Sequence, residues 1–156
     1  MAEQVLVGAV RRQFGAVHKM LREAIENCPE EAWRTGRSPF FAPARLAFHV
    51  VQATDFHLSP QPKEFNWNRF ELDWEEAPPE KLLGREALLT YFEEVAAMVN
   101  RRLEELGDSG LLGPDYQGFF PTALDHVLYT IRHAQHHTGQ INAELKLKEL
   151  KVARWR

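Results

Sequence analysis

Four stretches of this chain carry apolar residues three and four apart, a spacing that gathers them on one face of an α-helix and restricts the chain to packed helices. Leu6, Val10, Phe14, Val17, Leu21, Ala24 and Cys28 form the first row, which predicts a long helix over 3–27. The segment PARLAFHVVQATDFHL, 43–58, is apolar around much of its circumference, as expected of a helix packed on more than one side, and Pro43 suits its first position. Leu88, Phe92, Val95, Val99, Leu103 and Leu106 repeat the pattern over 84–106, and Gly107 is placed to end that helix. Leu124, Val127, Leu128, Ile131, Ala134, Thr138, Ile141 and Leu145 mark the last helix, whose start is set by Thr122 and Asp125 in a capping-box pattern. No internal repeat, Gly-rich phosphate loop or strand-like alternation is evident. The fold class is therefore all-α, an up-and-down or crossed four-helix bundle, and 156 residues with 44% hydrophobic content suit a single domain over 1–156.

Two connections are more than turns. Pro29, Glu30 and Glu31 predict a short helical turn, with Trp33 plugging the end of the bundle. Between 59 and 83 the helical period breaks, and Phe65, Trp67, Phe70 and Trp74 appear among prolines and acids. So much aromatic surface is not left in water, so the segment is expected to be an ordered excursion over the bundle. It either forms one wall of a pocket or only covers the core. The second loop is expected over 108–120.

Charge and cysteine content narrow the function classes. A formal net charge of -3 provides no positive field for nucleic acid or an anionic membrane. The basic run of Lys146, Lys148, Lys151, Arg154 and Arg156 complements the negative end of a helix dipole. Neither a long apolar span nor a signal-peptide pattern is present, so a cytoplasmic protein is expected. Cys28 stands alone, so a cysteine-based zinc framework is excluded and any metal rests on imidazoles and carboxylates. Cys28 itself falls on an apolar row, where it serves as a small hydrophobe.

The chemistry concentrates in DHVLYTIRHAQHHTGQ, 125–140. Residues four apart on a helix lie about 40° apart around the axis and about 6 Å along it, so His133 and His137 project side by side. His126, Thr130 and Gln140 share their stripe, whereas His136 points away. A third ligand must come from elsewhere. His49, between Phe48 and Val50 in the middle of the second long helix, needs a partner for its ring nitrogens. Alone it would be satisfied by a hydrogen bond; beside the His133 and His137 pair, a shared metal is the stronger reading. His18 is expected to be structural or solvated. His57, near its helix end, reads as a C-terminal cap or a cation facing solvent.

The Pro-Glu-Glu-x-Trp element after the first helix, the central histidine of RLAFHVV and the terminal HAQHHTGQI together resemble the DinB/YfiT-like superfamily of metal-binding four-helix bundles. The likeness covers nearly the whole chain. It implies a divalent metal, zinc or nickel foremost, held by His49, His133 and His137. It also implies an unusual helix order, a homodimer, and a small-molecule substrate or low-molecular-weight thiol as partner. His126 is a candidate for the pocket wall or for support of a ligand, and His136 is expected in solvent. Thr138 stands where relatives often carry arginine, which leaves the substrate open.

Three neutral imidazoles leave coordination positions for water or substrate, the mark of catalytic rather than closed structural sites. All-imidazole sets suit zinc, nickel, copper or iron alike. The expected function is therefore that of a metal-dependent thiol S-transferase or hydrolase. The alternative is a non-catalytic, metal-stabilised bundle that acts through dimerisation or protein interaction. No catalytic side chain beyond the ligands can be named from the sequence.

Overall fold

The computed structural model describes residues 4–156, and among them the chain is all-helical, with no strand. The long helices are α1 (Val5–Asn27), α3 (Pro43–Leu58), α4 (Arg85–Leu112) and α5 (Ala123–Leu147), and a single turn, α2 (Glu30–Trp33), follows α1. α3 packs against α4 and α5, and α1 packs against the same two helices, whereas α1 barely meets α3. The consecutive helices α3 and α4 are neighbours in space, but α1 and α3 are not, so the helices do not simply follow one another around the core. Among the described residues, no helix is long and apolar enough to cross a membrane.

The expected apolar rows supply most of the core, with Leu128 of α5 the exception, at 43% exposed. Val10, Phe14, Val17, Leu21 and Ala24 of α1 are buried, as are Leu88, Phe92, Val95, Val99 and Leu103 of α4. α3 is buried over most of its circumference, and Trp33 closes one end of the core with its indole N–H donated to the Leu83 carbonyl at 2.8 Å. Cys28 is fully buried, and that burial pushes its thiol up to about 11, so it stays protonated and packs as a small apolar group. Thr122 and Asp125 form the expected reciprocal cap, each accepting from the other's backbone N–H. Lys148 contributes to the fold as well as to the helix dipole: its ammonium donates to the Ala32 carbonyl and to Thr35, just beyond α2.

The excursion over 59–83 is ordered, with 3-10 turns at Pro62–Glu64 and Pro79–Lys81. Phe70 packs edge-on to Phe48 and against Tyr91, while Leu72, Ala77 and Leu82 enter the core. A buried guanidinium fastens it. Arg45 of α3 is 2% exposed and donates to the carbonyls of Pro39, Trp74, Glu75 and Ala77. Burying a charge is tolerable only when its donors are met, and here backbone oxygens meet them.

One expected boundary moves. Gly107 does leave the helical region, at φ 62 and ψ 177, but α4 resumes beyond it to Leu112, so the loop expected over 108–120 is shorter. The reason is long-range. α1 has no side-chain cap of its own, and the Asp108 carboxylate accepts from the Leu6 and Val7 N–H groups at 3.1 and 2.9 Å. The break at Gly107 aims Asp108 at the positive end of α1. At φ 62 an added Cβ would make only ordinary contact with the Gln4 amide, 3.8 Å away, so the penalty there is conformational rather than steric.

Gly107→Ala is therefore expected to cost about 1 to 3 kcal/mol and Asp108→Ala about 0.5 to 2 kcal/mol by urea unfolding. Because both act on the same cap, the double variant falls short of the sum of the two.

Candidate metal centre

The packing of α3 on α5 brings together His133 and His137, singled out by spacing, and His49, singled out by its place in an apolar helix and by the resemblance. His49 Nε2 lies 3.0 Å from His133 Nε2, and one ligating nitrogen from each of His49, His133 and His137 falls within 4.8 Å of the others. The ring centroids are 4.6 to 4.8 Å apart. His137 is buried; His49 and His133 are half-buried. His136 points to solvent, as expected.

Two neighbours orient these rings. His137 donates its Nδ1–H to Gln140 Oε1 at 2.7 Å, which leaves the Nε2 lone pair facing the other two imidazoles. Trp74, from the excursion, stacks on His49 with centroids 3.7 Å apart and planes at 25°, covering one ring face. The excursion therefore walls the cluster. Nothing in the spacing of Trp74 revealed this, because the contact depends on where Arg45 pins the segment.

Burial and mutual repulsion keep the cluster uncharged. Desolvation, then His133, His137 and His57, push His49 down to about 3. Desolvation, then His137, lower His133 to about 4, and His137 is lowered in the same direction by desolvation first. Neutral imidazoles are the form that ligates a metal. The donor set fits a divalent cation: one ring nitrogen from each of three histidines converges, and a tetrahedral site with about 2.05 Å bonds separates nitrogens by roughly 3.3 Å. His133 Nδ1 is buried without a hydrogen-bond partner among the described residues.

A second imidazole layer lies two turns along the same seam. His126 is fully buried; its Nδ1 lies 2.7 Å from Asp115 Oδ1, and its Nε2 lies 2.8 Å from His57 Nδ1. A carboxylate only accepts, so a neutral His126 carries its proton on Nδ1 and accepts at Nε2 from His57 Nδ1–H. The His57 Nε2 lone pair is thereby left free. Burial pushes Asp115 up, but the His126 bond and the N–H groups of Phe119, Phe120 and Gln117 outweigh it and hold the carboxyl below its usual range. The expected cap or solvent-facing cation at His57 is thus corrected: desolvation, then His126, push it down to about 4, so it is neutral. The carbonyls at the end of α3 are met instead by Tyr116 Oη–H and the Gln117 amide. Spacing did carry a signal for this pair. His57 follows His49 by eight residues and His126 precedes His133 by seven, which match across antiparallel helices. His18 is structural, held between the rings of Phe14 and Phe92 and pushed down to about 4 by burial.

Between about pH 4 and 6.5, His18 and His57 bind protons mainly when the chain unfolds. A folded value below the usual 6.5 gives stability that is complete above pH 6.5 and lost as pH falls through the folded value. Metal-free protein should therefore show a flat urea midpoint above pH 6.5 and a decline from there toward pH 4. His18→Leu, remote from the cluster, should make that decline shallower by on the order of 2 to 3 kcal/mol at pH 4.

No curated protein and no solved structure matches the chain. The DinB superfamily profile matches residues 13–141, which reach from within α1 to within α5 and include all three converging histidines, and the protein belongs to the DinB superfamily.

Proposed function

We propose that His49, His133 and His137 bind a divalent metal, zinc or nickel, through Nε2 in a DinB-type four-helix bundle, and that the protein is a metal-dependent thiol S-transferase or hydrolase. The observation that carries the reading is the convergence of three neutral imidazoles from two helices, with His49 and His133 already 3.0 Å apart. A bound divalent ion would supply Lewis acidity toward a water or thiol at an open position.

The chain's own residues prepare that site. Gln140 holds the proton on His137 Nδ1 and so presents Nε2 as a donor lone pair. Trp74 restrains the His49 ring and keeps water from one face. Desolvation keeps all three rings neutral near pH 7, the charge state that ligates a metal.

His49→Ala or His137→Ala should take metal content, by elemental analysis, from near one ion per chain to near none while the far-ultraviolet dichroism keeps its helical form. Unchanged stoichiometry in both variants would mean the ligands lie elsewhere. Gln140→Leu is expected to weaken metal affinity about 10- to 100-fold with the fold intact. Cobalt-loaded protein should change its visible spectrum on addition of 2-mercaptoethanol. An unaltered spectrum would leave a metal-stabilised bundle acting through dimerisation, without catalysis.

A further inference from the structure

Three imidazoles on the α3–α5 seam serve the metal centre; His57, His126 and Asp115 do not. These last three form a hydrogen-bonded chain with a single polarity. Asp115 Oδ2 accepts from the N–H groups of Phe119 and Phe120 at 2.7 and 3.1 Å, and Oδ1 accepts from His126 Nδ1–H at 2.7 Å. His126 is fully buried, and its Nε2 lies 2.8 Å from His57 Nδ1. With His126 neutral, each bond runs the same way, from His57 through His126 to the carboxylate, because the group at that end has no proton to give.

The consequence falls at the opposite end. His57 Nε2 carries a lone pair, has no hydrogen-bond partner among the described residues, and belongs to a half-buried ring rather than a sealed one. It also lies beside the metal centre. Tyr129 packs edge-on to His57, with ring centroids 5.3 Å apart, and stacks on His133 at 6.1 Å. The same tyrosine lines a cavity of about 310 Å³ with Arg132, His133 and His136. His57 is among the groups whose charge lowers both His49 and His133, so it is within electrostatic reach of the pair. A histidine free in solvent exchanges its tautomers, whereas His57, with its Nδ1–H committed to His126, can only accept at Nε2.

We propose that Asp115, acting through His126, fixes His57 Nε2 as a hydrogen-bond acceptor for the substrate of the metal centre, which carries a hydroxyl or N–H group near its metal-binding atom. Asp115 and His126 are positioning residues, and His57 touches the substrate. This rests on the thiol reading of the centre and narrows its ligand to a low-molecular-weight thiol with a hydrogen-bond donor a few bonds from sulfur. Asp115→Asn reverses the chain. The asparagine oxygen stays with the Phe119 and Phe120 N–H groups, which gives up the long Gln117 contact of 3.4 Å and turns the amide N–H toward His126 Nδ1. His126 then accepts at Nδ1 and donates from Nε2 to His57 Nδ1, so the His57 proton moves to Nε2.

Long-range ¹H–¹⁵N spectra of metal-free protein near neutral pH read the tautomers: His57 Nε2 should be unprotonated in the native chain and protonated in Asp115→Asn. Cobalt-loaded protein is then titrated with 2-mercaptoethanol, whose hydroxyl can donate, and with 2-methoxyethanethiol, whose ether oxygen can only accept, following the visible spectrum. Native protein should favour 2-mercaptoethanol about three- to tenfold. His57→Leu should bring the two within about twofold. Asp115→Asn should do the same while binding 2-methoxyethanethiol about threefold more tightly than native protein does, a gain that loss of structure would not produce. A native His57 Nε2–H, an unchanged tautomer in Asp115→Asn, or a preference kept in His57→Leu would each overturn the proposal. A cobalt spectrum that answers to neither thiol would overturn the thiol reading and this substrate class together, whereas equal affinity in native protein would overturn the role of His57 alone.

Discussion

The antiparallel seam of α3 and α5, held in a single register, is the constraint on which the site depends. His49 meets His133 and His137 at one level, and His57 meets His126 two turns along. A slip of one turn would move each ring about 5.4 Å along the axis and separate both pairs at once. The aliphatic surfaces of the two helices favour association without specifying level; the imidazoles supply that specificity. His126 and Asp115 are sealed from water, so a wrong register would strand buried polar groups at about 1 to 3 kcal/mol each.

The same accounting explains why the excursion over 59–83 can shape a site at all. A loop held by surface contacts would sample many positions and orient nothing. Here Arg45, buried in α3, has its donors satisfied only if the carbonyls of Trp74, Glu75 and Ala77 come to it. Phe70 and Leu72 then add apolar burial to the tie. Trp74 is placed against His49 as a result.

Distant caps join the remaining parts. Asp108 of α4 closes the start of α1, while Tyr116 and Gln117, in the loop before α5, close the end of α3. Each joins a helix end to a segment about 60 or more residues away, so helix termini double as tertiary contacts. Asp115 sits in the same loop and anchors the second imidazole layer, so ordering of the α3 terminus and of His126 happens together.

The sequence by itself determined the helices and their buried faces, because periodicity of three and four and a local capping box act within a few turns of chain. It also carried the three converging histidines: His133 and His137 follow from helical spacing, and His49 from its place in an apolar helix together with the superfamily resemblance. The capping box at Thr122, the apolar role of Cys28 and the exposed His136 were legible for the same local reason. What only the tertiary structure decided were the partners met across the fold. The continuation of α4 past Gly107 answers to an α1 terminus about a hundred residues away, and the neutral His57 answers to a buried His126 and Asp115. Trp74 became a wall of the site because Arg45 holds its backbone. Local pattern reports which face of a segment is buried; which polar atom it meets there depends on the level at which separate helices pack, and that level is set by burial and hydrogen-bond satisfaction across the whole molecule.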